Sequence, residues 1–123
     1  MRTALDYLIF DYSEDEEGGA TWDAMATVTT DRWPALQAEV LQVLHWADQR
    51  FPRQRGALDE GATWDFDISL SDSAGRDLRP AVQGQPLTLQ HAPLPAGDAL
   101  TLTLTLTGRA AFADALLQTF ELE

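Results

Sequence analysis

The sequence predicts an α+β fold: an open-faced antiparallel sheet of four to five strands with two helices on one face, in the order β-β-α-β-(β)-β-α. Three observations carry that expectation. Residues 64–71 and 100–107 alternate strictly between apolar and polar, the mark of strands with one buried face. Leu36, Val40, Val43, Leu44, Ala47 and Phe51 recur at helical spacing and form a single apolar stripe. The chain has 123 residues, 45% hydrophobic and 23% charged, which suits one domain around one core (residues 1–123).

Each element follows from local chemistry. Residues 5–12 are rich in aromatic and branched side chains and are the expected first strand. The turn over 13–19 joins like charges to two glycines, which free the backbone. Trp22, Ala24, Ala26 and Val28 then alternate with Asp23, Met25, Thr27 and Thr29, completing a hairpin. Helix one is expected from Asp31 as N-cap, with Pro34 in the first turn, and Pro52 ends it. Arg50, Arg53 and Arg55 gather at its carboxy end, where the helix dipole favours cations.

In the second half, Trp64, Phe66, Ile68 and Leu70 face one side and Asp65, Asp67, Ser69 and Ser71 the other. Residues 73–86 hold two glycines and two prolines and read as irregular. Residues 87–90 suit a short strand, the weakest of the set. Leu100, Leu102, Leu104 and Leu106 alternate with Thr101, Thr103, Thr105 and Thr107 in the clearest strand of all. Phe112, Leu116 and Phe120 are one turn apart in helix two. With the weak strand set aside, this is the order a circularly permuted ferredoxin-like chain would have, a topological remark that carries no function. The inward faces of residues 64–70, with Leu102 and Leu104, are expected to be buried beneath both helices.

Composition excludes several chemistries. No cysteine is present, so disulfides, thiolate metal sites and cysteine nucleophiles are absent. Lysine is absent too, which removes Schiff-base chemistry. Twenty acidic residues against eight arginines give a net charge of −12, a balance that repels phosphate backbones and argues against nucleic acid as a partner. No apolar run reaches the roughly 20 residues of a membrane span, nor is there a segment with the pattern of an export signal. A cytoplasmic protein without membrane contact is expected.

Motifs that carry catalysis are missing. There is no glycine-rich phosphate loop, no nucleophile elbow and no paired-histidine zinc motif, so no catalytic residue, metal ligand or cofactor is assigned. His45 and His91 show no spacing that would bring them together. Asp11, Ser13, Asp15 and Glu17 alternate as calcium ligands do, but Glu16 occupies the position that needs glycine and Trp22 the one that needs an acid. The run Glu14, Asp15, Glu16, Glu17 therefore reads as a solvated acidic loop.

What remains are two repeated steps and a charge pattern. Gly19-Ala20-Thr21-Trp22-Asp23 recurs letter for letter at residues 61–65. Its two copies either anchor two strand ends with a buried tryptophan or build one shared site. Residues 1–31 carry eight acids and one arginine, residues 32–56 two acids and four arginines, and residues 57–77 six acids and one arginine. Segregated charge of this kind steers charged partners. The leading expectation is a non-enzymatic interaction module that docks a basic protein, using Glu14–Glu17 or the sheet face that bears Asp65 and Asp67. One alternative is a small-ligand binder or enzyme with Trp22, Asp23, Trp64 and Asp65 at one end of the sheet. Another is a homodimer paired through residues 100–107, if that strand lies at an edge.

Overall fold

The computed structural model describes residues 3–14, 19–84 and 86–121. Along the chain run β1 (Thr3–Ala4), β2 (Phe10–Glu14), β3 (Ala20–Thr29), α1 (Trp33–Arg50), β4 (Trp64–Asp72), β5 (Ala81–Gln83), β6 (Thr88–Gln90), β7 (Ala99–Gly108), α2 (Ala110–Thr119) and β8 (Phe120–Glu121). The main sheet has the order β2-β3-β7-β4 and is antiparallel throughout. This is the strand order that cyclic permutation of a β-α-β-β-α-β chain produces. β5 and β6 form a separate hairpin, and β1 pairs with β8 in parallel.

One face of the main sheet is apolar and lies under both helices. Its cross-strand rows are Trp22–Leu106–Phe66, Ala24–Leu104–Ile68 and Ala26–Leu102–Leu70. The expected stripe of α1 is buried against this face, together with Phe112 and Leu116 of α2. Phe66 and Ile68 depart from the expectation and stay half-exposed. β4 is an edge strand, and neighbours cover an edge from one side only. Arg55 lies 5.2 Å over the Phe66 ring and shields part of it.

The first strand begins later than its composition suggests. β2 starts at Phe10 because Glu39 captures the preceding backbone: its carboxylate accepts the N–H groups of Asp6, Tyr7 and Leu8 at 2.9, 3.0 and 2.7 Å. Helix one also starts differently. Residues Thr30–Arg32 form a 3-10 turn, and the Thr29 hydroxyl donates to Asp31, which therefore does not cap the helix. The Thr30 hydroxyl lies within reach of the Pro95 and Asp98 carbonyls and ties this corner to the start of β7. In the stretch expected to be irregular, β5 pairs with the short strand β6.

Asp72 occupies the apolar face of β4, opposite Leu100, and is nearly buried. Its Oδ1 accepts the backbone N–H groups of Arg76 and Ala74, and its Oδ2 receives the Arg76 Nε at 2.9 Å. The Arg76 backbone bond, helped by the Arg76 side chain and the Ala74 N–H, holds this carboxyl below its ordinary range against the opposing effect of burial. A group whose folded pKa is depressed contributes stability above its unfolded value and loses it as the pH falls toward the folded one. The gap in Tm between the native chain and Asp72→Asn should therefore be full at neutral pH and shrink below about pH 4. Thermal melts across pH measure it. A gap unchanged down to pH 2 would contradict the assignment.

Candidate functional site

Among the described residues, no element covers the second face of the main sheet. The register assembles it in rows across the strands. One row is Asp11–Asp23–Thr105–Asp67, and the next toward the hairpin end is Ser13–Thr21–Thr107–Asp65. Side chains directly opposite one another in a sheet have Cβ atoms about 5 Å apart, so two carboxylates meet at Asp11 and Asp23 and a third follows one strand beyond Thr105. The Thr105 hydroxyl donates to Asp23 Oδ1 at 2.7 Å and fixes that carboxylate in the row. No arginine occurs in any of the four strands.

Beyond the acids, the face carries hydroxyls. Thr103 stands between Met25 and Ser69, and Thr101 between Thr27 and Ser71, with the Thr27 and Thr101 hydroxyls 3.1 Å apart. Met25 is 69% exposed in the midst of them, and Ile9, just before β2, is 73% exposed. Continuing the β2–β3 register by one residue sets Ile9 opposite Met25. An acidic half and a small apolar pair thus share one flat surface.

A shallow hollow of about 250 Å³ opens at the acidic end, lined by Gly19, Thr21, Leu58, Asp59, Asp65 and Thr107. It is formed where the loop before β4 folds beside the sheet. Arg109 holds that loop by donating to the carbonyls of Ala62 and Leu58.

The expected site residues separate into groups. Asp23, Asp65 and Asp67 share the open face. Trp22 and Trp64 do not, since alternation turns them through the sheet into the core, where they are 1% and 0% exposed. β3 and β4 are not neighbours, because β7 lies between them. Both indoles pack against Phe112, at 6.1 and 5.5 Å between ring centroids, and they act as anchors for α2. Trp64 Nε1 is buried with no hydrogen-bond partner among the described residues. Glu14 ends β2 on the side of Tyr12 rather than of the aspartates, and accepts the Tyr12 hydroxyl. That bond, with burial and the nearby carboxylate charge, raises the Tyr12 pKa above its ordinary value. Asp15, Glu16 and Glu17 lie outside the described residues.

Asp11 and Asp59 belong to this face and its hollow but were not among the expected residues. Pairing Trp22 with Tyr12 in the hairpin would have placed Asp11 opposite Asp23; no sequence signal marks Asp59. The route to a homodimer through residues 100–107 is closed. β7 is a central strand whose two edges are taken by β3 and β4.

The histidines do not converge on a site. His91 Nε2 accepts the Trp33 indole N–H at 3.0 Å, and its Nδ1 lies 2.8 Å from the Ala92 carbonyl, so both ring nitrogens are engaged. No group of three His, Asp or Glu side chains among the described residues is arranged to hold a metal. Among the same residues, no helix is long and apolar enough to cross a membrane. The class defined by this geometry is an α+β sheet with one face covered by helices and one acidic face open. Comparison with family models, curated proteins and solved structures gives no match.

Proposed function

We propose that this chain is a protein-interaction module that docks a basic partner on the open face of its sheet. One observation supports the reading most: three carboxylates share a single cross-strand row, a fourth stands in the next, and no arginine lies in any strand beside them. Like charges directly opposite in a sheet are destabilising, and a basic partner turns that cost into attraction. Met25 and Ile9 supply an apolar contact at the margin of the charged rows.

The test uses a partner captured from the cells that make the protein, with Asp65→Ser/Asp67→Ser as the paired control. Both side chains point away from the core, so the variant should fold with unchanged or raised Tm. Its association rate with the partner should fall by roughly tenfold and depend less on salt, because steering by exposed charge acts on encounter. Neutralising Glu14–Glu17 separately tells the sheet face from the hairpin tip. A partner indifferent to salt and to both sets of substitutions would overturn the reading.

A further inference from the structure

The described arginines are mostly engaged. Arg76 pairs with Asp72, Arg109 donates to two carbonyls, and Arg50 and Arg55 lie 4.9 and 5.2 Å over the rings of Phe51 and Phe66, with the edge of the guanidinium left to bond. Arg53 is different. It is exposed, and among the described residues no carboxylate pairs with it. It also holds a left-handed backbone, with φ of 58°, as Arg79 does with φ of 54°. The reason is a turn: Gln54 N–H donates to the Phe51 carbonyl at 3.2 Å, with Pro52 and Arg53 at the two central positions. A turn with proline second and positive φ third ordinarily has glycine there. An arginine at that point costs about 1 kcal/mol or more of backbone strain.

The neighbouring backbone is clamped. The Gln54 carbonyl accepts N–H groups from Thr63 and Trp64 at 2.8 and 3.3 Å, and the Thr63 hydroxyl donates to the Gln54 side chain at 2.7 Å. Gly56 N–H donates to the Trp64 carbonyl at 2.9 Å. Arg53 and Arg55 are therefore presented from a fixed strip of chain, and both line two adjoining hollows. One, of about 430 Å³, also has Asp48 and Gln49 in its wall. The other, of about 400 Å³, has Gln54, Glu60 and Thr63. The two hollows share these arginines, so the excess of positive charge belongs to the first, where Arg53 and Arg55 stand with one carboxylate, Asp48; that balance suits a small oxyanion and is too slight for a nucleic-acid backbone.

We infer that the first hollow, around Arg53 and Arg55, binds a phosphate-type oxyanion, held by the guanidinium forks with the Gln49 side-chain amide as a further donor. A planar guanidinium matches two oxygens of such a group at once, which a lysine could not do. The chain's net negative charge opposes the approach of any anion, but at 0.15 M salt that repulsion is screened beyond about 8 Å. Within the first hollow the two arginines outnumber Asp48.

Inorganic phosphate and a simple phosphomonoester, titrated against the whole chain and followed by amide and arginine side-chain NMR, test the assignment. Saturable shifts should be confined to residues 48–63 and absent with sodium chloride at equal ionic strength. Arg53→Gly keeps the turn and relieves its strain, so it should fold with raised Tm while binding about tenfold more weakly, the loss expected for one charged hydrogen-bonding group. Arg55→Gln should weaken binding likewise. Tighter binding of the monoester than of phosphate identifies an organic phosphate as the ligand, and equal binding identifies the free ion. Shifts that never saturate, or equal affinity in Arg53→Gly, would overturn the proposal.

Discussion

Phe112→Ala is expected to cost roughly 3–5 kcal/mol of folding stability, a large share of what a domain of this size possesses. The side chain is fully buried at the point where α2 meets the sheet. Its ring faces four others, with centroids 5.5 Å from Trp64, 5.6 Å from Phe51, 5.9 Å from Trp46 and 6.1 Å from Trp22. Truncation therefore forfeits transfer energy, leaves a cavity and removes aromatic pairs that contribute beyond their buried area. Urea denaturation followed by tryptophan fluorescence measures the loss, and a change below about 1 kcal/mol would refute this account of the core.

The same site explains a glycine. A Cβ placed on Gly108 would lie 2.2 Å from a Phe112 ring carbon, so Gly108 is the floor on which that ring rests. Gly108→Ala should destabilise the native chain, and less so once Phe112 is alanine, although the Cβ that alanine keeps still lies 2.8 Å away. The two substitutions should be non-additive because they contend for one volume.

Glu39→Ala is the second large effect, expected at roughly 2–4 kcal/mol. Three backbone N–H groups converge on this one carboxylate, from a segment more than 30 residues away in sequence. Alanine would leave those donors without a partner in a partly buried position, which costs more than the bonds themselves contribute. Hydrogen exchange at Asp6, Tyr7 and Leu8 should accelerate, while exchange in β3 and β7 should change only with global stability. Glu39→Gln should fall between the two, since its amide oxygen still accepts but its NH₂ meets an N–H group. Unchanged protection at Tyr7 and Leu8 in the alanine variant would show that the carboxylate does not hold this segment.

The candidate site was only partly legible beforehand. That Asp65 and Asp67 share a polar face follows from alternation alone, and so does the placement of Asp23 on the polar face of its own strand. That Asp23 and Asp67 flank one threonine does not follow. The two repeated Trp-Asp steps divide as alternation requires, tryptophan to the core and aspartate to the open face, but their separation by β7 does not follow from it. Identical words in a sequence say nothing about which neighbours each will meet. In the sequence Arg53 is one cation near a helix end, because a left-handed arginine is visible in backbone geometry and not in composition.

What the chain determined by itself was the class of fold and the inward face of each long element. Side-chain direction repeats every two residues in a strand and every 3.6 in a helix, so β3, β4, β7, α1 and α2 could be oriented from their own residues. What only the tertiary structure decided was adjacency. β7 inserted itself between β3 and β4, and that one choice closed the edge on which a dimer could have formed. It also lined Asp11, Asp23 and Asp67 along a single row. The β1–β8 pair, the Glu39 clamp and the half-exposed Phe66 belong with it. Periodicity is a property of one segment, whereas strand order, capture of a distant backbone and exposure at an edge depend on residues far away in the chain.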